Sequence, residues 1–226
     1  MQNELIADIS AVYNEPLKIN EALDKTLRCI ANFGDFCFAE AWLTSTDKNS
    51  LNKISIHAAT ENVKLFIEET NSIDTFMYGE DFPGIVSKAK EIIILGDLEI
   101  QKQFSRRDAA LKYGLKTIIG VPLVNNNDVV GVLIFGVDYE VASICKYHNL
   151  FKKLGDYLSP EIKRKQLELE LNQMFNFAPD MIVTIGLDQY FKRVNPAACQ
   201  LLGYTQEELC AQDYTFFVHP EDRENA

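Results

Sequence analysis

Three histidines, His57, His148 and His219, and five cysteines, Cys29, Cys37, Cys145, Cys199 and Cys210, are the side chains of this 226-residue sequence best suited to nucleophilic, redox or metal chemistry. Their spacing organises none of it. The cysteine count is odd and no pair stands as C-x-x-C, so neither a zinc site nor a disulfide framework is indicated. Most of the cysteines sit among apolar residues, where a free thiol behaves as a small hydrophobe. Phosphoryl relay would need a histidine followed by an acidic residue on a helix, together with a glycine-rich phosphate loop, and neither is present. A GGDEF or GGEEF run is absent as well. His57, alone on a strand-like segment, reads as a surface or hydrogen-bonded residue and not as a haem or metal ligand.

The bulk composition narrows the class further. Hydrophobic residues make up 47% and charged residues 24%, as in a folded globular chain. The net charge is −11, and the short run Lys163-Arg164-Lys165 is too small to offset it. That balance argues against nucleic acid, whose binding depends on neutralised phosphates, and against an anionic membrane surface. No apolar run approaches the roughly 20 residues that cross a bilayer. The polar start Met1-Gln2-Asn3-Glu4 is no signal peptide, so a cytoplasmic protein is expected.

The positioning elements follow from periodicity. Residues 4–13 read as a helix that Asn14-Glu15-Pro16 breaks. A second helix carries Ile19, Leu23, Leu27 and Ile30 on one stripe and ends at Asn32-Phe33-Gly34, with glycine suited to a left-handed cap. In the strand from Phe36 to Leu43, Phe36, Phe38, Glu40 and Trp42 fall on one face. Lys53 to Ala59 alternates with Ile54, Ile56 and Ala58 inward, and residues 61–70 are helical. Phe82-Pro83-Gly84 opens a short helix, Ile92 to Leu95 is a strand, and a helix with Ala109, Ala110 and Leu111 closes at Tyr113-Gly114-Leu115. Thr117 to Val124 and Val129 to Val137 form a hairpin across Asn125-Asn126-Asn127-Asp128. Helical patterning then runs from Glu140 to Phe177. Ser159-Pro160-Glu161 inside it permits either two helices in series or one kinked helix. Ile144, Tyr147, Phe151, Leu154 and Leu158 make a stripe before the proline, which suits either pairing or packing on its own domain. Beyond it the seam Leu167, Leu171 and Met174 favours pairing with a second copy.

The order Phe82-Pro83-Gly84-Ile85-Val86, Ile92 to Leu98, Phe104 with Arg106, Gly114-Leu115, Gly120-Val121-Pro122-Leu123 and Gly131-Val132-Leu133-Ile134-Phe135 resembles the GAF family, in particular GAF domains of sensor histidine kinases, over residues 17–158. Residues 178–224 resemble the opening of a PAS domain. The matching pieces are Ala178-Pro179-Asp180, Met181 to Ile185, Val194-Asn195-Pro196-Ala197, Leu202-Gly203-Tyr204-Thr205, Glu207-Glu208-Leu209 and Val218 to Arg223. In this pattern His219 belongs to a structural turn. The Asp188-Gln189-Tyr190 turn departs from it, since the family commonly has glycine there. The sequence ends at Ala226, before the long helix and three strands that would complete a PAS sheet, so this region is expected to be the least stable.

The implied fold class is α+β: a GAF-type antiparallel sheet with helices on both sides, a long connector helix and a partial PAS-type α/β unit. The implied organisation is an N-terminal helix at 1–16, a GAF core at 17–139, connector helices at 140–177 and the front half of a PAS domain at 178–226. In the GAF architecture the ligand wall would draw on Trp42, Phe82, Phe104, Arg106 and Val121, with Arg106 gripping a polar or anionic ligand. The aromatic residues serve equally as plain core, and Arg106 equally as the partner of Asp97 or Asp108. Sulfoxide-reducing GAF enzymes carry a nucleophilic cysteine in the segment matching Phe82 to Ser87, where this sequence has none. Residues 60–120 also lack a cysteine for covalent bilin, so no cofactor is expected. The resulting expectation is a non-catalytic sensory part of a two-component-type bacterial signalling protein. It would bind a small molecule and relay through a parallel homodimer to an output kinase or cyclase outside this chain. A ligand-free GAF dimerisation scaffold is the alternative.

Overall fold

The computed structural model describes residues 2–141 and 145–222. Two units divide the chain, residues 1–165 and 166–226. In the first, α1 (Gln2–Asn14) and α2 (Ile19–Gly34) form because their apolar residues recur at helical spacing, burying Leu5, Ile9 and Val12 on one and Leu23, Leu27 and Ile30 on the other. The left-handed residue ending α2 is Asp35, with φ 53°, and not Gly34 as the sequence suggests. Gly34 is needed for a different reason: a Cβ there would stand 2.2 Å from the Phe36 ring.

Six antiparallel strands follow in the spatial order β3-β2-β1-β6-β5-β4. They are β1 (Phe38–Thr44), β2 (Ser50–Ala58), β3 (Thr75–Met77), β4 (Ile93–Leu95), β5 (Thr117–Asn125) and β6 (Asp128–Val137). The β5–β6 turn closes on Asn126 and Asn127 at φ 48° and 70°, the conformation a two-residue hairpin needs. The three-residue edge strand β3 has no period long enough to show in the sequence. A bulge in β2 opposite Ala41/Trp42 breaks the expected alternation, so Ile54 packs on one sheet face while Ile56 and Ala58 pack on the other.

Both sheet faces are covered, and two cores result. One lies under α1, α2 and the first half of α6 (His148–Phe177). The other lies under α3 (Glu61–Thr70), α4 (Asp81–Ala89) and α5 (Arg107–Lys112). Phe36 belongs to the first, against Phe135 and Phe151 at 5.1 and 5.6 Å, and so does not share a face with Phe38, Glu40 and Trp42. The left-handed turn at Asp35 reverses the chain just before β1 starts, which resets the alternation.

A single helix, α6, runs through Pro160. The proline removes one backbone N–H, at a cost of about 3 kcal/mol in a helix interior. Burial of Leu158 and Ile162 on either side offsets it. Before the proline, Leu150, Phe151, Leu154 and Leu158 are buried in the unit's own core; Ile144 of the expected stripe lies outside the described residues. Arg164 donates to the Tyr13 carbonyl at 3.1 Å and Lys165 to the Leu17 carbonyl at 2.8 Å, tying α6 to the α1–α2 connection. Farther on, Leu167, Leu171 and Met174 are 44%, 65% and 69% exposed.

The second unit pairs β7 (Val183–Ile185) with β8 (Phe191–Val194) and adds α7 (Pro196–Leu202) and α8 (Gln206–Cys210) around Phe191, Val194, Ala198 and Leu209. Asn195 organises it. Its side chain accepts from the N–H groups of Ile182 and Ala198, both at 3.0 Å, and donates to the Asp180 carbonyl at 2.9 Å. Thr205 and Glu208 form a capping box on α8. Gln189 takes φ 64° at the turn where glycine was expected. Arg223, at the end of the matched turn, lies outside the described residues.

Leu154 and Leu171 lie in the same helix in opposite environments. Leu154→Ala should lower unfolding stability by about 2–5 kcal/mol. Leu171→Ala should change it by less than about 0.5 kcal/mol when urea unfolding of the first unit is followed by tryptophan fluorescence.

Candidate functional site

The chemistry-bearing groups of the first unit meet on the sheet face beneath α3, α4 and α5. β1 turns Phe38, Glu40 and Trp42 toward that face, and the residue before α5, Arg106, reaches down to them. The guanidinium of Arg106 grips Glu40 bidentately, Nη1 to Oε1 and Nη2 to Oε2, each at 2.7 Å. The Trp42 indole N–H donates to the same carboxylate at 3.0 Å. Four rings, those of Phe38, Trp42, Phe66 and Phe104, stand 5.6–5.9 Å from the guanidinium carbon. Glu40 and Arg106 are 0% and 3% exposed.

A charge in such surroundings is costly unless paired and hydrogen-bonded, and a planar fork meets a carboxylate with two parallel bonds. Both Nη atoms of Arg106 are therefore committed to Glu40, while its buried Nε has no hydrogen-bond partner. Its ion-pair partner is neither Asp97 nor Asp108; Asp108 pairs with Arg107 at 2.8 Å instead. Trp42, Phe82 and Phe104 are all fully buried in this same core, with Phe82 against Phe104 at 6.1 Å. Sequence reasoning put Glu40 on the right strand face but did not name it as a site residue. The signal was there: a carboxylate between two aromatic residues on an inward face requires a cation.

Val121 is not with the others. On β5 it faces the opposite core with Ile119 and Leu123, while Ile118 and Gly120 face α4. Strand alternation makes this unavoidable, and the glycine is what lets α4 approach: a Cβ on Gly120 would stand 2.3 Å from Val86. Val121 instead floors an open groove of about 440 Å³ with Ile92, Pro122 and Phe151.

Cys29 and Cys37 are poor nucleophiles. Burial pushes Cys37 up to about 11, helped by the nearby Asp138 charge, and its Sγ–H donates to the Gly136 carbonyl at 3.2 Å. Burial raises Cys29 as well, with Asp8 adding to it. Cys199 and Cys210 belong to the second unit, and the side chain of Cys145 lies outside the described residues. Among the described residues, no group of three or more His, Cys, Asp or Glu is placed to hold a metal ion, and no helix is long and apolar enough to cross a membrane.

Two measurements test this chemistry. Glu40→Leu alone strands a buried guanidinium and should cost about 3–5 kcal/mol, whereas Glu40→Leu with Arg106→Met should recover most of that loss in urea unfolding. Because a raised pKa keeps Cys37 protonated at neutral pH, its alkylation by iodoacetamide should be about a hundredfold slower than for an unperturbed thiol. The rate should climb with pH toward about 11.

Comparison with known proteins gives one family-model match and a set of similar solved structures. Residues 170–225 match the family model of the PAS domain. No curated protein matches the chain. Among solved structures, the nlh2 GAF domain of A. aeolicus in an inactive state is 14% identical at TM-score 0.60, covering 73% of this chain and 96% of that one. The free methionine-R-sulfoxide reductase of Neisseria meningitidis, in complex with its substrate, is 13% identical at TM-score 0.59, over 74% and 91%. The GAF domain of the Acinetobacter phosphoenolpyruvate-protein phosphotransferase is 16% identical at TM-score 0.57, over 75% and 98%. The first unit of this chain has the GAF-domain fold, and a segment matching the PAS-domain model follows it.

Proposed function

We propose that this chain is a non-catalytic regulatory part of a bacterial-type signalling protein, working in the cytoplasm as a dimer whose α6 helices carry a signal from the GAF-fold unit into the PAS segment. The observation that carries the reading is the continuity of α6. It is rooted in the first unit's core through Leu150, Phe151, Leu154, Leu158 and Ile162 and runs on to Phe177, inside the segment matching the PAS model from residue 170. A rigid helix shared between two sequence modules transmits rotation or translation without needing new contacts. The output, a kinase of the two-component type or a cyclase, would lie outside this sequence.

The interior beneath α3–α5 favours the scaffold form of this function over small-molecule binding at that face. What supports this reading is that the Glu40–Arg106 pair and the surrounding rings are buried together on that face. The exposed seam Leu167, Leu171 and Met174 is the surface we assign to pairing, since an apolar stripe on a polar helix gains by burying itself against a copy. Leu154 has no part in it, being committed to the unit's own core.

The test is analytical ultracentrifugation of the chain and of a Leu171→Glu/Met174→Glu variant. The parent should sediment as a dimer and the variant should weaken association by roughly a hundredfold, equivalent to about 2.7 kcal/mol. A monomeric parent, or a variant with unchanged mass, would end the pairing reading.

A further inference from the structure

At one end of the sheet, away from the Glu40–Arg106 cluster, a recess of about 170 Å³ opens between three chain reversals. Lys48 comes from the β1–β2 turn, Lys90 caps the end of α4, and Asn127 and Asp128 come from the β5–β6 hairpin. Ser87 of α4 lines the recess as well. Ser87 is 0% exposed and its hydroxyl has no hydrogen-bond partner. Buried hydroxyls are nearly always satisfied, so an orphan one lining a cavity points to an occupant.

The other polar groups define what that occupant is. The Lys48 ammonium gives one bond to Asp128 Oδ2, at 2.7 Å, and keeps two N–H groups. Lys90 gives two to Asn127, at 2.6 Å to the carbonyl and 3.1 Å to Oδ1, and keeps one. With the Ser87 O–H, the recess thus holds a surplus of donors, two cations and one carboxylate already engaged. The Asp128 carboxyl is held below its usual range first by its hydrogen bond with Lys48 and that residue's charge, then by Lys90 and by Lys163 of α6. Two lysine ammonium groups thus stand beside one carboxylate on a chain of net charge −11.

We propose that this recess binds a small tetrahedral oxyanion, a phosphate or the phosphate of a monoester, through Lys48, Lys90 and Ser87. The two lysines supply charge from turns that the fold brings together from far apart in sequence, and the serine supplies a directed donor at the floor. The volume accommodates one phosphate group with a small substituent at its mouth. Such a site lies on the first unit and is independent of how α6 pairs, so its failure leaves the relay reading standing.

The experiment titrates the isotopically labelled chain with inorganic phosphate and with glycerol 3-phosphate at constant ionic strength, following backbone amides by NMR. Saturable shifts are expected at Ser87, Lys90 and Asn127. Tighter binding of the ester would identify an esterified phosphate as the ligand; equal or tighter binding of the free ion would identify phosphate itself. Lys48→Gln with Lys90→Gln should weaken binding more than about tenfold, and Ser87→Ala by about threefold to tenfold, with the fold retained. Ser87→Ala removes only the unsatisfied hydroxyl and so cannot lose affinity by unfolding the site. Absence of saturable shifts at these amides would overturn the proposal. So would unchanged affinity in Ser87→Ala, which would leave an adventitious ion only, held loosely by surface lysines.

Discussion

The Glu40–Arg106 ion pair constrains the first unit more than any other contact. A carboxylate facing inward from a central strand cannot remain there alone, because the desolvation of a single buried charge exceeds what one or two neighbouring contacts return. Its partner stands 66 residues away in the chain, at the start of α5. To bring it there, the irregular segment after β4 must fold back over the sheet and bury Phe104 beside it. The rings around the guanidinium then exclude water, which strengthens the pair and makes its loss expensive. The ion pair and the aromatic rings thus lie together in one buried cluster.

At 13–16% identity the likeness to known structures is one of architecture. Enzymes and regulatory domains share this fold, as the similarity to both a methionine-R-sulfoxide reductase and a phosphotransferase GAF domain illustrates. Function on a shared fold resides in the side chains placed at its sites. Here the inward face carries a buried ion pair, and burial holds the Cys29 and Cys37 thiols above their usual range. Among the described residues, buried polar atoms without a partner are Tyr13 Oη, His57 Nε2, Ser87 Oγ and Arg106 Nε.

The helix α6 shows how one sequence pattern acquires two physical roles. Its apolar residues before Pro160 are core, and those after Lys165 face solvent, although both sets recur at helical spacing. Arg164 and Lys165 tie the first half to main-chain carbonyls near the α1–α2 connection.

Local chemistry was sufficient for much of the architecture. The asparagine pair at 126–127 specified a hairpin because both positions need positive φ, and the period of apolar residues specified α1, α2 and the paired strands β5 and β6. The Asn195-Pro196 step likewise specified a helix start. These features depend on residues near one another in the chain, so the amino-acid order alone determined them. Other features depend on distance in space. The partner of Arg106, the face taken by Phe36, the side of the sheet occupied by Val121, the unbroken course of α6 through Pro160 and the meeting of Lys48, Lys90 and Ser87 were decided only when the sheet closed. In each case the deciding energy is burial or pairing between segments far apart in sequence, and such energies exist only once the tertiary structure has brought those segments together.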